Sequence, residues 1–146
     1  MAKRKKSVRL PTSKDKLVDW FFKELIYFIK KKLVMIEITK GKIVERDVGK
    51  KELNGFIVFN PDNKDGIVFL SGSGKPRSLD KNYWGRILTH ELCHAVLESH
   101  VIERKIRRLE KLLWERFTVE QKRILISFLP RKRGQRRWFK KVSKAT

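Results

Sequence analysis

The period of the hydrophobic pattern changes twice along this chain, and that change constrains the fold more than any other feature. Val18, Phe21, Phe22, Leu25 and Ile29 recur at helical spacing, with Trp20, Tyr27 and Phe28 widening the face. A helix is therefore predicted from a Thr12/Asp15 capping box to about Lys31. From Leu33 the period shortens. Leu33 to Thr39 alternates and is rich in Val, Ile and Met, Lys40-Gly41 is a turn signal, and Lys42 to Val48 is expected to pair back as a hairpin. Gly49 to Gly55 reads as a polar connection, and Phe56 to Phe59 and Ile67 to Leu70 as two strands around a turn. The helical period then returns. After a candidate N-cap at Asp80, Trp84, Leu88, Leu92 and Val96 share a face. Ile102, Ile106, Leu109, Leu113 and Phe117 continue it, and Thr118 with Gln121 opens a last helix ending before Pro130. This order predicts an α+β fold: an N-terminal helix, a small antiparallel sheet of three or four strands, then helices.

A chain of 146 residues fits one domain, and 40% hydrophobic residues suffice for a modest core. The reading divides it into a basic arm (1–11), a domain (12–129) and a basic tail (130–146). The outlier is charge: 37 Lys and Arg against 16 Asp and Glu, a net +21. Such a field attracts polyanions. The candidate DNA or RNA contacts are Lys3, Arg4, Lys5 and Lys6 in the arm, and Arg131, Lys132, Arg133, Arg136, Arg137, Lys140 and Lys141 in the tail, where Trp138 can stack on bases. The single cysteine, Cys93, excludes an internal disulfide and suits a reducing, cytoplasmic setting. It is read as a small core residue. The apolar stretch from Leu17 to Leu33 is interrupted by Lys23, Glu24 and Lys30 to Lys32, so neither a signal peptide nor a transmembrane segment is expected. Ser71-Gly-Ser-Gly-Lys-Pro76 lacks the spacing of a phosphate-binding loop and is read as a flexible loop that can border a cleft.

All three histidines fall between residues 90 and 100. His90, Glu91 and His94 form an H-E-x-x-H pattern on the helix predicted from Lys81. Side chains four apart on a helix lie on one face, about 5–6 Å between Cβ atoms, so two imidazoles can converge on one Zn2+ ion. Glu91 is one step round the helix, placed to act on a zinc-activated water as general base without ligating the ion. A catalytic zinc usually takes a third protein ligand. His100 is the first candidate, its spacing matching the metzincin arrangement. On an uninterrupted helix, however, six residues add about 600° and about 9 Å. His100 can ligate only if the helix ends near Val96 to Glu98, and Leu97 stands where metzincins carry the turning glycine. The alternative third ligand is a carboxylate from the next helix, Glu103 or Glu110.

The run Thr89-His-Glu-Leu-Cys-His-Ala-Val-Leu97 resembles the zincin metallopeptidases, and its His-Glu-Leu-Cys-His-Ala wording is closest to the SprT-like family. The placing of His100 is similar to the related WLM group. The resemblance covers about residues 80–100. It implies a zincin-like fold, zinc as cofactor, His90, His94 and His100 as ligands and Glu91 as general base. It also implies a protein substrate crosslinked to DNA, with basic regions holding the DNA. A second resemblance is to ImmA/IrrE-like peptidases, which pair H-E-x-x-H with a later glutamate and regulate repressors. A non-enzymatic nucleic-acid-binding protein, with a structural metal or none, is the competing expectation from the charge.

Overall fold

The structure is a computed structural model that describes residues 9–41, 43–45, 51–72, 81–97 and 102–140. The elements run α1 (Lys16–Lys31), β1 (Leu33–Ile38), β2 (Ile43–Glu45), β3 (Lys51–Leu53), β4 (Gly55–Phe59), β5 (Gly66–Leu70), α2 (Lys81–Leu97), α3 (Glu103–Arg116), α4 (Val119–Ser127) and β6 (Arg136–Trp138). This is an α+β fold: an N-terminal helix, a four-stranded mixed sheet and three further helices. Among the described residues no helix is long and apolar enough to cross a membrane.

The α1 cap is Asp15, which accepts from the Leu17 and Val18 amides at 3.0 and 3.3 Å, in place of the expected Thr12 box. Ser13 instead donates to Asp19 through both its amide and its hydroxyl, each at 2.8 Å. The buried Gln121 amide completes this knot, donating to Asp19 at 3.0 Å and to the Pro11 carbonyl at 3.1 Å. The Thr118/Gln121 capping box forms as predicted.

The sheet differs from the all-antiparallel expectation. Its order is β4-β5-β1-β6, with β1 parallel to β5, β4 antiparallel to β5 and β6 antiparallel to β1. The physical reason lies in β1. Leu33, Val34, Met35, Ile36 and Ile38 are all buried, so this strand is covered on both faces, as the inner strands of parallel and mixed sheets are. A strand covered on both faces belongs in the middle of a sheet. It therefore pairs with the apolar β5 and not with the polar segment after Gly41. That segment contributes β2, which pairs with β3 in a separate two-stranded ribbon; among the described residues the predicted hairpin to β1 does not form, and Lys42 and residues 46–48 of it lie outside them. The strand at Ile67–Leu70 is internal, and the edge on that side is β4.

Part of the expected free tail is also built in. The Gly134 amide donates to Ile38 O at 2.6 Å from a positive-φ turn, and the Phe139 amide donates to Val34 O at 2.8 Å, bracketing β6. Arg136 pairs with Glu37 at 2.6 Å, and Lys140 pairs with Asp65 at 2.7 Å. The Arg137 guanidinium lies 5.4 Å from the Phe139 ring centroid.

The core is the space between the sheet and α2. Phe22, Leu25 and Ile29 of α1, Ile36 and Ile38 of β1, Val68 and Leu70 of β5, Leu88 and Leu92 of α2, Ile106 and Leu113 of α3 and Leu125 of α4 form one cluster. The predicted α2 face is buried at Trp84, Leu88 and Leu92, but the helix is enclosed on its other sides too, at Ile87, Thr89, His90, Glu91 and Cys93. Gly85 permits this: a Cβ there would sit 2.9 Å from both Ile126 Cγ1 and the Trp114 ring. The Trp84 indole donates to Ser71 O at 3.1 Å and ties the helix to the end of β5. On α1, Phe28 is buried as expected, whereas Trp20 and Tyr27 are exposed and do not join the core.

Candidate metal centre

Two helices build the site. The α2 helix supplies His90 and His94 one turn apart, with Glu91 next to His90, and α3 crosses it to supply Glu103 and Glu110. The two imidazoles stand with ring centroids 5.0 Å apart. Their Nε2 atoms face the Glu103 carboxylate: His90 Nε2 contacts Oε1 directly, and His94 Nε2 lies 3.4 Å from it. These three residues each offer one ligand atom, all within 4.8 Å of one another. A tetrahedral ion with donors at about 2.0–2.1 Å separates those donors by about 3.3–3.5 Å. The set of two imidazoles and a carboxylate therefore suits zinc in type; the His94–Glu103 separation already matches that spacing, while Glu103 and His90 are in direct contact and would have to draw apart to share an ion. Of the two third-ligand candidates among the described residues, Glu103 and Glu110, the structure brings Glu103 to the pair. Glu110 lies on the other side of the His90 ring, 3.5 Å from Nδ1. His100 lies outside the described residues, as do Asp80, the loop from Ser73 and the basic residues Lys3, Arg4, Lys5, Lys6 and Lys141.

Glu110 orients His90 from behind. It is buried, it is held by a direct ion pair with Arg86, and it faces Nδ1 while Nε2 faces Glu103. A carboxylate in that place sets the ring tautomer and its aim. Arg86 was not singled out in the sequence, although it sits four residues before His90 on one helical face. Arg107, on the solvent side, reaches Glu103 at 4.0 Å.

Electrostatics point the same way. Glu91, Glu103 and Glu110 converge on two imidazoles in a protein of net charge +21. Burial pulls the His90 imidazole down, but Glu110, Glu91 and Glu103 outweigh it and leave His90 above its ordinary value. Burial holds His94 below its ordinary value, favouring the neutral ring that ligates metals. Glu103 and Glu110 stay below the usual carboxylate range despite burial, held by the histidines and, for Glu110, by Arg86. Burial, aided by the Glu103 charge, raises Glu91 to about 7. Cys93, fully enclosed beside Glu110 and Glu91, has its thiol pushed up to about 12 and is inert at neutral pH, consistent with a core role.

A pH dependence follows for the zinc-stripped chain. Glu91 keeps its proton when folded up to about pH 7 but loses it at its ordinary 4.5 when unfolded, which costs the folded state about 3 kcal/mol by pH 8. The raised His90 contributes in the same direction, since its stabilisation is lost as pH rises through its folded value; the lowered His94 opposes both, its destabilisation at low pH being relieved as pH rises to its ordinary 6.5, and the large shift of Glu91 sets the sign. Glu103 and Glu110, both lowered, have their stabilisation in place above about pH 5. Chemical denaturation of the stripped protein should therefore show stability falling between pH 5 and 8. A flat or rising profile would contradict the buried, carboxylate-rich site.

The site opens into a cleft of about 1000 Å³. One wall is β4, with Phe56, Ile57 and Phe59; the floor is α2; the other wall is α3, with Arg104, Arg107, Arg108 and Lys111. No family model matches the chain, and neither the curated proteins nor the solved structures yield a match.

Proposed function

We propose that this protein is a zinc-dependent endopeptidase of zincin type, acting on protein substrates near nucleic acid. The observation that carries the reading is the convergence of His90, His94 and Glu103 beside a buried Glu91 at the floor of an open cleft. His90, His94 and Glu103 would hold the ion. When bound, zinc acidifies a water and polarises a carbonyl oxygen. The chain supplies the remainder. Glu91, buried beside the ligands and bound to none of them, takes a proton from the attacking water and returns it to the leaving amine. The outer edge of β4 offers backbone N–H and C=O groups to an extended peptide by strand addition. The Arg86–Glu110–His90 chain keeps one ligand aimed. A glutamate from the following helix as third donor agrees with the ImmA/IrrE-like resemblance better than with the SprT-like and WLM pattern. The substrate on this variant is a DNA-bound regulator in place of a DNA–protein crosslink.

The test is proteolysis of a DNA-binding protein by the zinc-loaded chain, with and without DNA, the expected result being cleavage that DNA accelerates. Cleavage indifferent to DNA would remove the nucleic-acid part, and absence of cleavage in any zinc-loaded sample would remove the peptidase.

A second reading is a non-enzymatic DNA- or RNA-binding protein in an intracellular setting. It is favoured by the net charge, by Trp138, which is 54% exposed, and by the exposed Arg131 and Lys132. Against it, Arg133, Arg136, Arg137 and Lys140 are occupied within the fold, by Gly72 O, Glu37, Ser127 O and Asp65 respectively. DNA binding with a steep salt dependence that survives a His90→Ala/His94→Ala exchange, without protease activity in the wild type, would favour this reading.

A further inference from the structure

The arc of α3 that faces the cleft changes character from bottom to rim. At 100° per residue, Glu110 and Glu103 come first, next to the histidines; Arg107, Lys111, Arg104 and Arg108 follow, turning outward. The two carboxylates are committed to His90, His94 and Arg86. Among the described residues Arg104, Arg108 and Lys111 have no ion-pair partner, and all are exposed. Of the four α3 cations without an ion-pair partner among the described residues, three (Arg104, Arg108 and Lys111) line the rim of the cleft and Lys105 does not; β4, an edge strand among the described residues, lines the same cleft.

We propose that the cleft selects acidic peptide segments, with substrate carboxylates on Arg104, Arg108 and Lys111 and the substrate backbone on β4. This rests on the peptidase reading and names its substrate class. An extended peptide satisfies both walls at once. Its main chain pairs with the edge of β4, and every second side chain turns to the helix-covered face of the sheet, shared with Ile57 and Phe59, where the α3 cations line the cleft. Nucleic acid satisfies only one wall, because a phosphodiester backbone has no N–H groups to continue the sheet. The charge also rejects: a lysine-rich segment meets like charges along the rim.

The test uses the full chain, zinc-loaded and zinc-stripped, with a short fluorescein-labelled peptide alternating glutamate with valine. Its lysine–valine counterpart and a single-stranded oligothymidine are the competitors. A rim-exposed ion pair changes affinity by a few-fold. Three together predict about tenfold tighter binding of the glutamate peptide, weakened by salt and reversed in an Arg104→Glu/Arg108→Glu variant. An Arg131→Glu/Lys132→Glu variant, altered away from the cleft, should bind the glutamate peptide as the wild type does. Equal binding of both peptides, or loss in the Arg131/Lys132 variant but not in the α3 variant, would overturn the proposal. So would oligothymidine displacing the peptide in an α3-dependent way, which assigns the rim to nucleic acid. Failure of the peptidase reading looks different: the glutamate peptide binds through α3 and no zinc-loaded sample cleaves any peptide.

Discussion

Replacing Glu91 by Gln is expected to lower peptide hydrolysis by about 10²–10⁴-fold while leaving zinc bound. The side chain is isosteric, so the buried position is refilled without a cavity, and a neutral amide removes the desolvation strain of a carboxylate that is only 6% exposed. What disappears is the proton acceptor. Glu91 is the group in this site suited to that work. Glu103 and Glu110 are each engaged by the His90 ring, Glu110 also by Arg86, whereas Glu91 has no ion-pair partner among the described residues and its burial favours proton uptake. The stripped variant should also lose most of the pH-dependent destabilisation between pH 5 and 8. Steady-state kinetics and a denaturation series on one preparation check both. Full activity in Glu91→Gln would remove the mechanism and leave at most a metal-binding protein.

The second large effect concerns metal retention. Glu103→Ala and Glu110→Gln both take a carboxylate from the His90 ring, but from opposite nitrogens. Loss of an outer partner such as Glu110 typically weakens metal binding about 10–100-fold. Loss of Glu103 removes a ligand and should exceed that. Because zinc binds the folded chain, the difference also appears in heat stability: an ion at 1,000 times its dissociation constant adds about 4 kcal/mol, and that increment should vanish in Glu103→Ala under conditions where Glu110→Gln keeps part of it. Competition with a chromophoric chelator gives the affinities. Wild-type affinity in Glu103→Ala would return the third-ligand role to His100.

How much of this was legible in the sequence depends on how local the signal was. The His90/His94 pair, the Thr118/Gln121 capping box, α1 and the β4–β5 hairpin are set by residues a few positions apart, and their patterns are readable. The β1 strand was misplaced because Leu33–Ile38 reads as alternating when it is buried on both faces, and burial of a second face is a property of the assembled layers. The β6 strand, Arg-Arg-Trp, carries no apolar alternation; main-chain bonds to β1 hold it there. Trp20 and Tyr27 lie just outside the width of the buried stripe of α1, which the sequence cannot measure. In the site, Glu103 and Glu110 were visible as rivals, but which imidazole nitrogen each meets depends on the crossing of α2 and α3. The cationic rim of α3 depends on the same crossing.

The most direct measurement of the central claim is zinc-edge X-ray absorption on the zinc-loaded wild-type chain, with metal content determined on the same sample. One zinc per chain, with two imidazole nitrogens and a carboxylate oxygen at about 2.0–2.2 Å, is the predicted result. A chain that takes up no zinc, or a coordination shell without two imidazoles and a carboxylate, would contradict it.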